Sequence, residues 1–266
     1  MNIDGLLKLA LIDALEARIL IAHALKCSRV QLVIRSKDEL SPEQVNDISA
    51  LFMRRMQGEP IAYLTGEREF YGLRFEVSSD VLIPRPETEL LVELAQEKLA
   101  NAGTVLDMGT GSGAIAVSLG HVRRDAKVTA SDISEAALQL ARRNAGHHGI
   151  KVELIVSDWF AKISGRFDLI VSNPPYIAAS DTHLSQGDLR FEPRRALTDE
   201  ANGMMHIGTI IDGAAAHLHA QSWLLLEHGH DQAAAVRALF QRAGWQQAQS
   251  WKDLAGIERV TGAIRP

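Results

Sequence analysis

A chain of 266 residues has room for one large α/β domain or for two domains of ordinary size. Its 46% hydrophobic and 23% charged residues exclude a disordered tail, a collagen-like repeat and a disulfide scaffold. Lys and Arg number 28 against 33 Asp and Glu, and the resulting net charge of −5 argues against a protein that grips long nucleic acid through its phosphates. The single cysteine, Cys27, allows no intramolecular disulfide and fits a reducing, cytoplasmic address. Lys8, Asp13, Glu16 and Arg18 interrupt the apolar stretch from Gly5 to Leu25, so neither a signal segment nor a membrane span is expected.

Residues 1 to about 60 read as helical, with Leu11, Leu15, Arg18 or Ile19, Ala22 and Leu25 along one stripe. Ser41 before Pro42 and Glu43 is an N-cap followed by proline at the first helical position, opening a helix from Pro42 to about Gln57. No β-rich run precedes Phe70. From Phe70 to Ile83, alternating apolar residues around Gly72 and a Ser78-Ser79-Asp80 turn predict a hairpin joining two domains.

After Pro84-Arg85-Pro86, helix and strand alternate, the pattern of a parallel sheet covered on both faces. Strands are expected at 104–107, 127–132, 152–156, 167–172 and 223–227. Helices are expected from Ala114, over 134–144, 203–219 and 231–243. Segments 246–252 and 259–261 complete the sheet as an antiparallel pair.

Asp107-Met108-Gly109-Thr110-Gly111-Ser112-Gly113-Ala114 is a strand end feeding a glycine loop that opens a helix, where a ligand can approach the backbone closely. Gly109, Gly111 and Ala114 also satisfy the dinucleotide pattern G-x-G-x-x-G/A, so the glycines alone choose no cofactor. Asp132, 21 positions after Gly111 at the next strand end, is placed to accept both hydroxyls of a ribose, which points to an adenosine-containing ligand. Asp107 favours a sulfonium and ammonium donor over a pyrophosphate, because a nearby carboxylate repels phosphates. After the third strand, Trp159 is a candidate to stack on adenine and Asp158 to accept from its amine, with a buried core Trp as the plain alternative.

Asn173-Pro174-Pro175-Tyr176 follows the strand 167–172 at its carboxyl end, where ligands sit in open α/β sheets. The two prolines stiffen the turn and keep their carbonyls available as acceptors. The Asn173 side-chain carbonyl and the Pro174 main-chain carbonyl match the two hydrogens of a planar amino group, and Tyr176 can stack on it. Accepting both hydrogens orients a conjugated, poorly nucleophilic nitrogen and favours the pyramidal form that attacks a methyl carbon, without a strong base.

These motifs, together with Glu59-Pro60-Ile61-Ala62-Tyr63-Leu64-Thr65-Gly66, Leu82-Ile83-Pro84-Arg85-Pro86-Glu87-Thr88-Glu89, Arg190-Phe191-Glu192-Pro193, Leu226-Glu227-His228-Gly229 and Glu258-Arg259-Val260-Thr261, carry a family resemblance. From about residue 55 to the C-terminus the sequence resembles the peptide-chain release factor N5-glutamine methyltransferases of the HemK/PrmC type. The resemblance implies a class I, Rossmann-like α/β domain dependent on S-adenosylmethionine at 76–266, and a small helical substrate-recognition domain at 1–75 with the hairpin at about 70–83 between them. It implies methyl transfer to the glutamine of the Gly-Gly-Gln loop of class-1 bacterial release factors, with S-adenosylhomocysteine released and no metal. It assigns the donor to Gly109, Thr110, Gly111, Ser112, Gly113, Asp132, Trp159 and Asn173. The substrate amide falls to Asn173, Pro174, Pro175 and Tyr176, with Asn173, Pro174 and Tyr176 at the chemistry. A cytoplasmic monomer without direct nucleic-acid or membrane contact is expected. One departure from the family wording is Asn202-Gly203-Met204-Met205-His206.

Two enzymes of related chemistry compete with this reading: a ribosomal-protein glutamine methyltransferase, separated mainly by its N-terminal region, and an adenine-N6 DNA methyltransferase, which must hold DNA. A noncatalytic adaptor would lack reason to keep Asn173 and the glycine loop, and an NAD-dependent dehydrogenase has no use for Asn-Pro-Pro-Tyr. His228 and His230 lack a third metal ligand at suitable spacing, and packing at the strand end is expected for them. His147 and His148 are expected to end a helix. Arg85 and Glu87 either border the substrate entrance or pair across a loop. Arg190, Glu192, Arg194 and Arg195 form either a partner surface or a solvated loop.

Overall fold

The computed structural model describes residues 1–266 and divides into two compact units, Met1–Glu67 and Arg68–Pro266. No helix is long and apolar enough to cross a membrane.

The first unit is helical: α1 (Ile3–Leu9), α2 (Ala14–Ala24), α3 (Arg29–Ile34), α4 (Pro42–Met56) and α5 (Ile61–Thr65). Asn2, Asp13, Ser28 and Ser41 cap the first four through side-chain oxygens, and Ser28 with Gln31 and Ser41 with Gln44 form reciprocal capping boxes. The expected stripe through Leu11 and Leu15 is not the buried one, since these residues are 80% and 54% exposed. Asp13 restarts the helix, so Leu11 lies in the connection and the phase begins anew at Ala14. Ala17, Leu20 and Ile21 then face inward, against Ile48 and Phe52 of α4.

β1 (Glu67–Phe70) and β2 (Leu73–Glu76) form a two-stranded hairpin, shorter than the predicted 70–83 and starting earlier. Tyr71 and Gly72 take φ of 52° and 72°, the left-handed pair that a two-residue turn between twisted strands requires. The unit boundary falls before residue 75 because Phe70 and Phe75 join the core of the second unit. Val77, Val81 and Ile83 continue as a buried irregular segment.

Beyond α6 (Glu89–Lys98) come β3 (Thr104–Met108), α7 (Ala114–Val122), β4 (Lys127–Asp132), α8 (Glu135–His147), β5 (Val152–Val156) and β6 (Phe167–Ser172). The chain closes with α9 (Met205–Ala214), β7 (Leu218–Glu227), α10 (Ala233–Arg242), β8 (Gln246–Lys252) and β9 (Glu258–Ile264). The seven strands lie in the order β5-β4-β3-β6-β7-β9-β8, parallel except at β9, which runs antiparallel to both neighbours.

Alternate residues of one strand serve opposite faces. Val105, Leu169, Val171 and Leu225 pack with α6 and α7, whereas Leu106, Met108, Ile170, Leu224 and Leu226 pack with α9 and α10. The helix predicted over 203–219 is shorter. Turns at Ala214–His217 close α9, and Leu218 already pairs with Phe167, so β7 begins five residues before the expected Trp223.

Candidate active site

Strand order reverses between β3 and β6, the position where an open α/β sheet leaves a crevice at its carboxyl ends. Met108 and Ser172 are register partners there, and the Ser172 hydroxyl donates to the Met108 carbonyl at 2.7 Å. Gly109 and Asn173 therefore leave the sheet side by side. A cavity of about 520 Å³ opens above them.

Of the residues predicted to hold a donor, Gly109, Thr110, Gly111, Ser112, Asp132, Trp159 and Asn173 all line this cavity. Gly109 and Gly111 have φ of 70° and 55°, and nothing lies within 4 Å of where a Gly111 Cβ would stand. Gly113 does not line it. At φ 82° it caps α7, and a Cβ there would meet the Ala141 Cβ of α8 at 3.0 Å, so this glycine serves helix packing.

Asp132 ends β4 with Oδ2 accepting the Gly111 N–H at 2.9 Å and Oδ1 accepting the Ser134 N–H at 2.8 Å. Each oxygen keeps a second lone pair. Burial raises its pKa, while backbone donors and the Arg195 guanidinium act against that shift.

Asp107 does not border the cavity as its expected role requires. It is fully buried beneath the glycine loop, where Oδ2 accepts the Thr110 hydroxyl at 2.6 Å and the Ala116 N–H at 3.2 Å. Oδ1 is buried without a partner, and burial pushes the carboxyl up to about 7. As the inward-facing residue of β3 it anchors the loop from below.

The Asn-Pro-Pro-Tyr turn divides in the same way. Asn173 and Pro175 line the cavity; Pro174 and Tyr176 do not. Asn173 Nδ2 donates to the Thr88 hydroxyl at 3.2 Å, which leaves its carbonyl Oδ1 without a protein donor. The Tyr176 hydroxyl donates to Glu227 Oε1 at 3.3 Å.

Trp159 and Asp158 both line the cavity. Trp159 has φ 43°, and its ring stands 5.2 Å from that of His206, within the segment that departs from the family wording. Arg85 pairs with buried Glu192 at 2.5 Å rather than with Glu87, and Glu192 also accepts the Ile83 N–H. Arg194 pairs with Glu200, whereas Arg195 reaches the cavity wall and donates to Ser134 Oγ. His228 is buried between the Gly229 carbonyl and Thr261 Oγ1.

Thr88 and Glu227, present in the family motifs without a role of their own, and Ser134 and Asp199 also belong to the site and its surroundings. Glu227 alone carried a usable signal, as a carboxylate closing the apolar run Leu224-Leu225-Leu226 where a parallel strand ends. Asp199 accepts the N–H groups of Ala201, Gly203 and Met205 and so fixes the entry to α9.

The cavity suits an adenosine-bearing donor: open backbone at Gly111, spare carboxylate lone pairs at Asp132 and the Trp159 side chain in its wall. Residues 86–224 match the Methyltransferase small domain, and fold and cavity together define the chain as a methyltransferase. Residues 6–66 match the PrmC N-terminal domain. A release factor glutamine methyltransferase of Burkholderia pseudomallei is 52% identical over 98% of this chain and 95% of its own length. Another, from Neisseria gonorrhoeae, is 48% identical over 98% and 97%. The chain belongs to the release factor glutamine methyltransferase family. Among solved structures, a methyltransferase from Pyrococcus furiosus shares the fold at a TM-score of 0.58 and 20% identity, covering 82% of this chain and 98% of that one.

Proposed function

We propose that this protein transfers a methyl group from S-adenosylmethionine to the side-chain amide nitrogen of the glutamine in the Gly-Gly-Gln loop of class-1 release factors. One observation carries the reading: Asn173, whose side-chain carbonyl has no protein donor, lines the same cavity as the glycine loop and Asp132. The bound donor supplies an electrophilic methyl on a sulfonium. Gly109, Thr110, Gly111, Ser112, Asp132 and Trp159 hold it, with Asp132 offering its spare lone pairs to the ribose hydroxyls and Trp159 its ring to the adenine. Gly113 supports that loop through packing.

Asn173 Oδ1 accepts one hydrogen of the substrate amide from the cavity wall, and the Pro174 main-chain carbonyl, outside the cavity lining, accepts the other once the substrate docks against the turn, so the nitrogen lone pair is turned out of conjugation toward the methyl carbon. Pro175 stiffens the turn and Tyr176 braces it from behind. The enzyme acts as a cytoplasmic monomer, without a metal. The helical first unit holds the release factor, and exposed Val30, Val33 and Ile34 on α3 supply the apolar surface for it. The net charge of −5 favours a protein over DNA as the acceptor.

Incubation with methyl-labelled S-adenosylmethionine and, in parallel, a purified release factor, ribosomal protein and adenine-containing DNA tests the reading. Label is expected in the release factor. Label in DNA or ribosomal protein with none in the release factor overturns it.

A further inference from the structure

Behind the Asn173 turn lies a buried polar cluster to which no role has been assigned. Ser172 of β6 is the register partner of Leu226 of β7, so Asn173, just past β6, and Glu227, the last residue of β7, lie beside each other at the carboxyl edge of the sheet. Glu227 is 0% exposed. Its Oε1 receives the Tyr176 hydroxyl, while Oε2 has no partner within hydrogen-bonding geometry. The Thr88 hydroxyl also acts on this carboxyl, and its oxygen accepts from Asn173 Nδ2.

A hydroxyl has one hydrogen to donate. With its oxygen taking the Asn173 amide hydrogen, the Thr88 hydroxyl keeps its own hydrogen for another acceptor, and the buried Glu227 Oε2, beside the Asn173 position in the strand register, still lacks a donor. A buried carboxylate oxygen left bare is costly, which holds the hydroxyl in this sense. An amide presents either a donor or an acceptor to a given site, and only the acceptor suits a substrate N–H.

We infer that Thr88 and Glu227 are positioning residues for methyl transfer: together they lock the Asn173 side-chain amide with its carbonyl facing the cavity. The inference rests on the proposed role of Asn173 and deepens it by naming what sets that side chain's polarity. Burial and the Glu87 charge push the Glu227 carboxyl up to about 7, with the Thr88 and Tyr176 hydroxyls and Arg259 acting the other way. The ionised form accepts from both hydroxyls, whereas its protonation removes one acceptor.

Glu227→Gln and Thr88→Val test the arrangement in the full chain, with Thr88→Ser and Asn173→Ala beside them. Glutamine at 227 keeps one acceptor oxygen for two donor hydroxyls; with Tyr176 holding that oxygen, the NH2 faces Thr88, whose hydrogen turns back to Asn173 and reverses its amide. Loss of one oriented hydrogen bond lowers kcat on the release factor by about tenfold or more in both Glu227→Gln and Thr88→Val. The Kd for S-adenosylhomocysteine stays within about twofold, since Gly111, Asp132 and Trp159, which hold the adenosine, are untouched. Thr88→Ser keeps the hydroxyl and returns kcat to within about threefold of the natural protein.

Thermal melts establish that each variant is folded, and Thr88→Val decides the matter if Glu227→Gln is not. Folded Thr88→Val with undiminished kcat overturns the inference, as does Thr88→Ser as slow as Thr88→Val. If Asn173→Ala is inactive in that experiment, the positioning inference alone has failed. If Asn173→Ala turns over normally, the reading beneath it has failed.

Discussion

The Asp132 carboxylate holds the Gly111 backbone N–H at 2.9 Å, so one side chain both shapes the glycine loop and faces the donor cavity. Asp132→Ala removes two charge-assisted contacts to a ribose and releases the loop. At ~1.5 kcal/mol or more for each such bond, affinity for S-adenosylhomocysteine falls by about a hundredfold. Calorimetry measures it, and unchanged binding removes Asp132 from the donor site.

Gly203 has φ 80° and lies where a Cβ would overlap the Tyr176 carbonyl, which also accepts from Gln232 Nε2. Gly203→Ala therefore combines left-handed strain with displacement of the Asn-Pro-Pro-Tyr turn. A stability loss of about 2–4 kcal/mol in urea melts is expected, with reduced turnover in the folded fraction. A variant of natural stability and activity refutes this close approach.

Burial gives Asp107 a folded pKa of about 7, against ~4 in the unfolded chain. Between these values the folded state holds more protons, so this group's contribution to stability falls as pH rises from about 4 to about 7. Asp107→Asn keeps one oxygen for Thr110 and Ala116 and removes the titration. Urea melts across that range should show a flatter decline for the variant, with Glu227 retaining a slope of the same sign. Parallel curves contradict the assignment.

The exposed side chains of α3 separate recognition from chemistry. Val33→Glu with Ile34→Glu leaves the core of the first unit untouched, because these residues are 69% and 77% exposed. The release-factor KM is expected to rise about tenfold or more, with donor affinity and kcat nearly unchanged. Equal KM values contradict a docking role for this face.

The parallel part of the sheet was legible because its strands carry short apolar runs, three of which, β4, β6 and β7, end on Asp132, Ser172 and Glu227. Four of the strands, 127–132, 152–156, 167–172 and 246–252, have the predicted limits. The phase of α2 was not legible, since Leu11 and Leu15 mimic a core stripe that the restart at Asp13 breaks. The end of α9 was hidden by Ala214-Ala215-Ala216, a run that fits a helix as well as the turn that closes it.

At the site, the glycine loop, Asp132, Trp159 and Asn173 were visible as residue types at strand ends. What lay out of reach depends on the pleat and on strand order. Period two sends Asp107 beneath its loop, and the neighbouring positions of β6 and β7 bring Glu227 to the back of the Asn173 turn. Thr88 comes from a segment 85 residues away from Asn173, which no local pattern reveals.

Fragment mass spectrometry of a release factor incubated with this protein and S-adenosylmethionine tests the central claim most directly. The account predicts one added methyl on the glutamine of the Gly-Gly-Gln loop, absent when Asn173→Ala replaces the natural protein. An unmodified glutamine, or a methyl that persists there with Asn173→Ala, contradicts it.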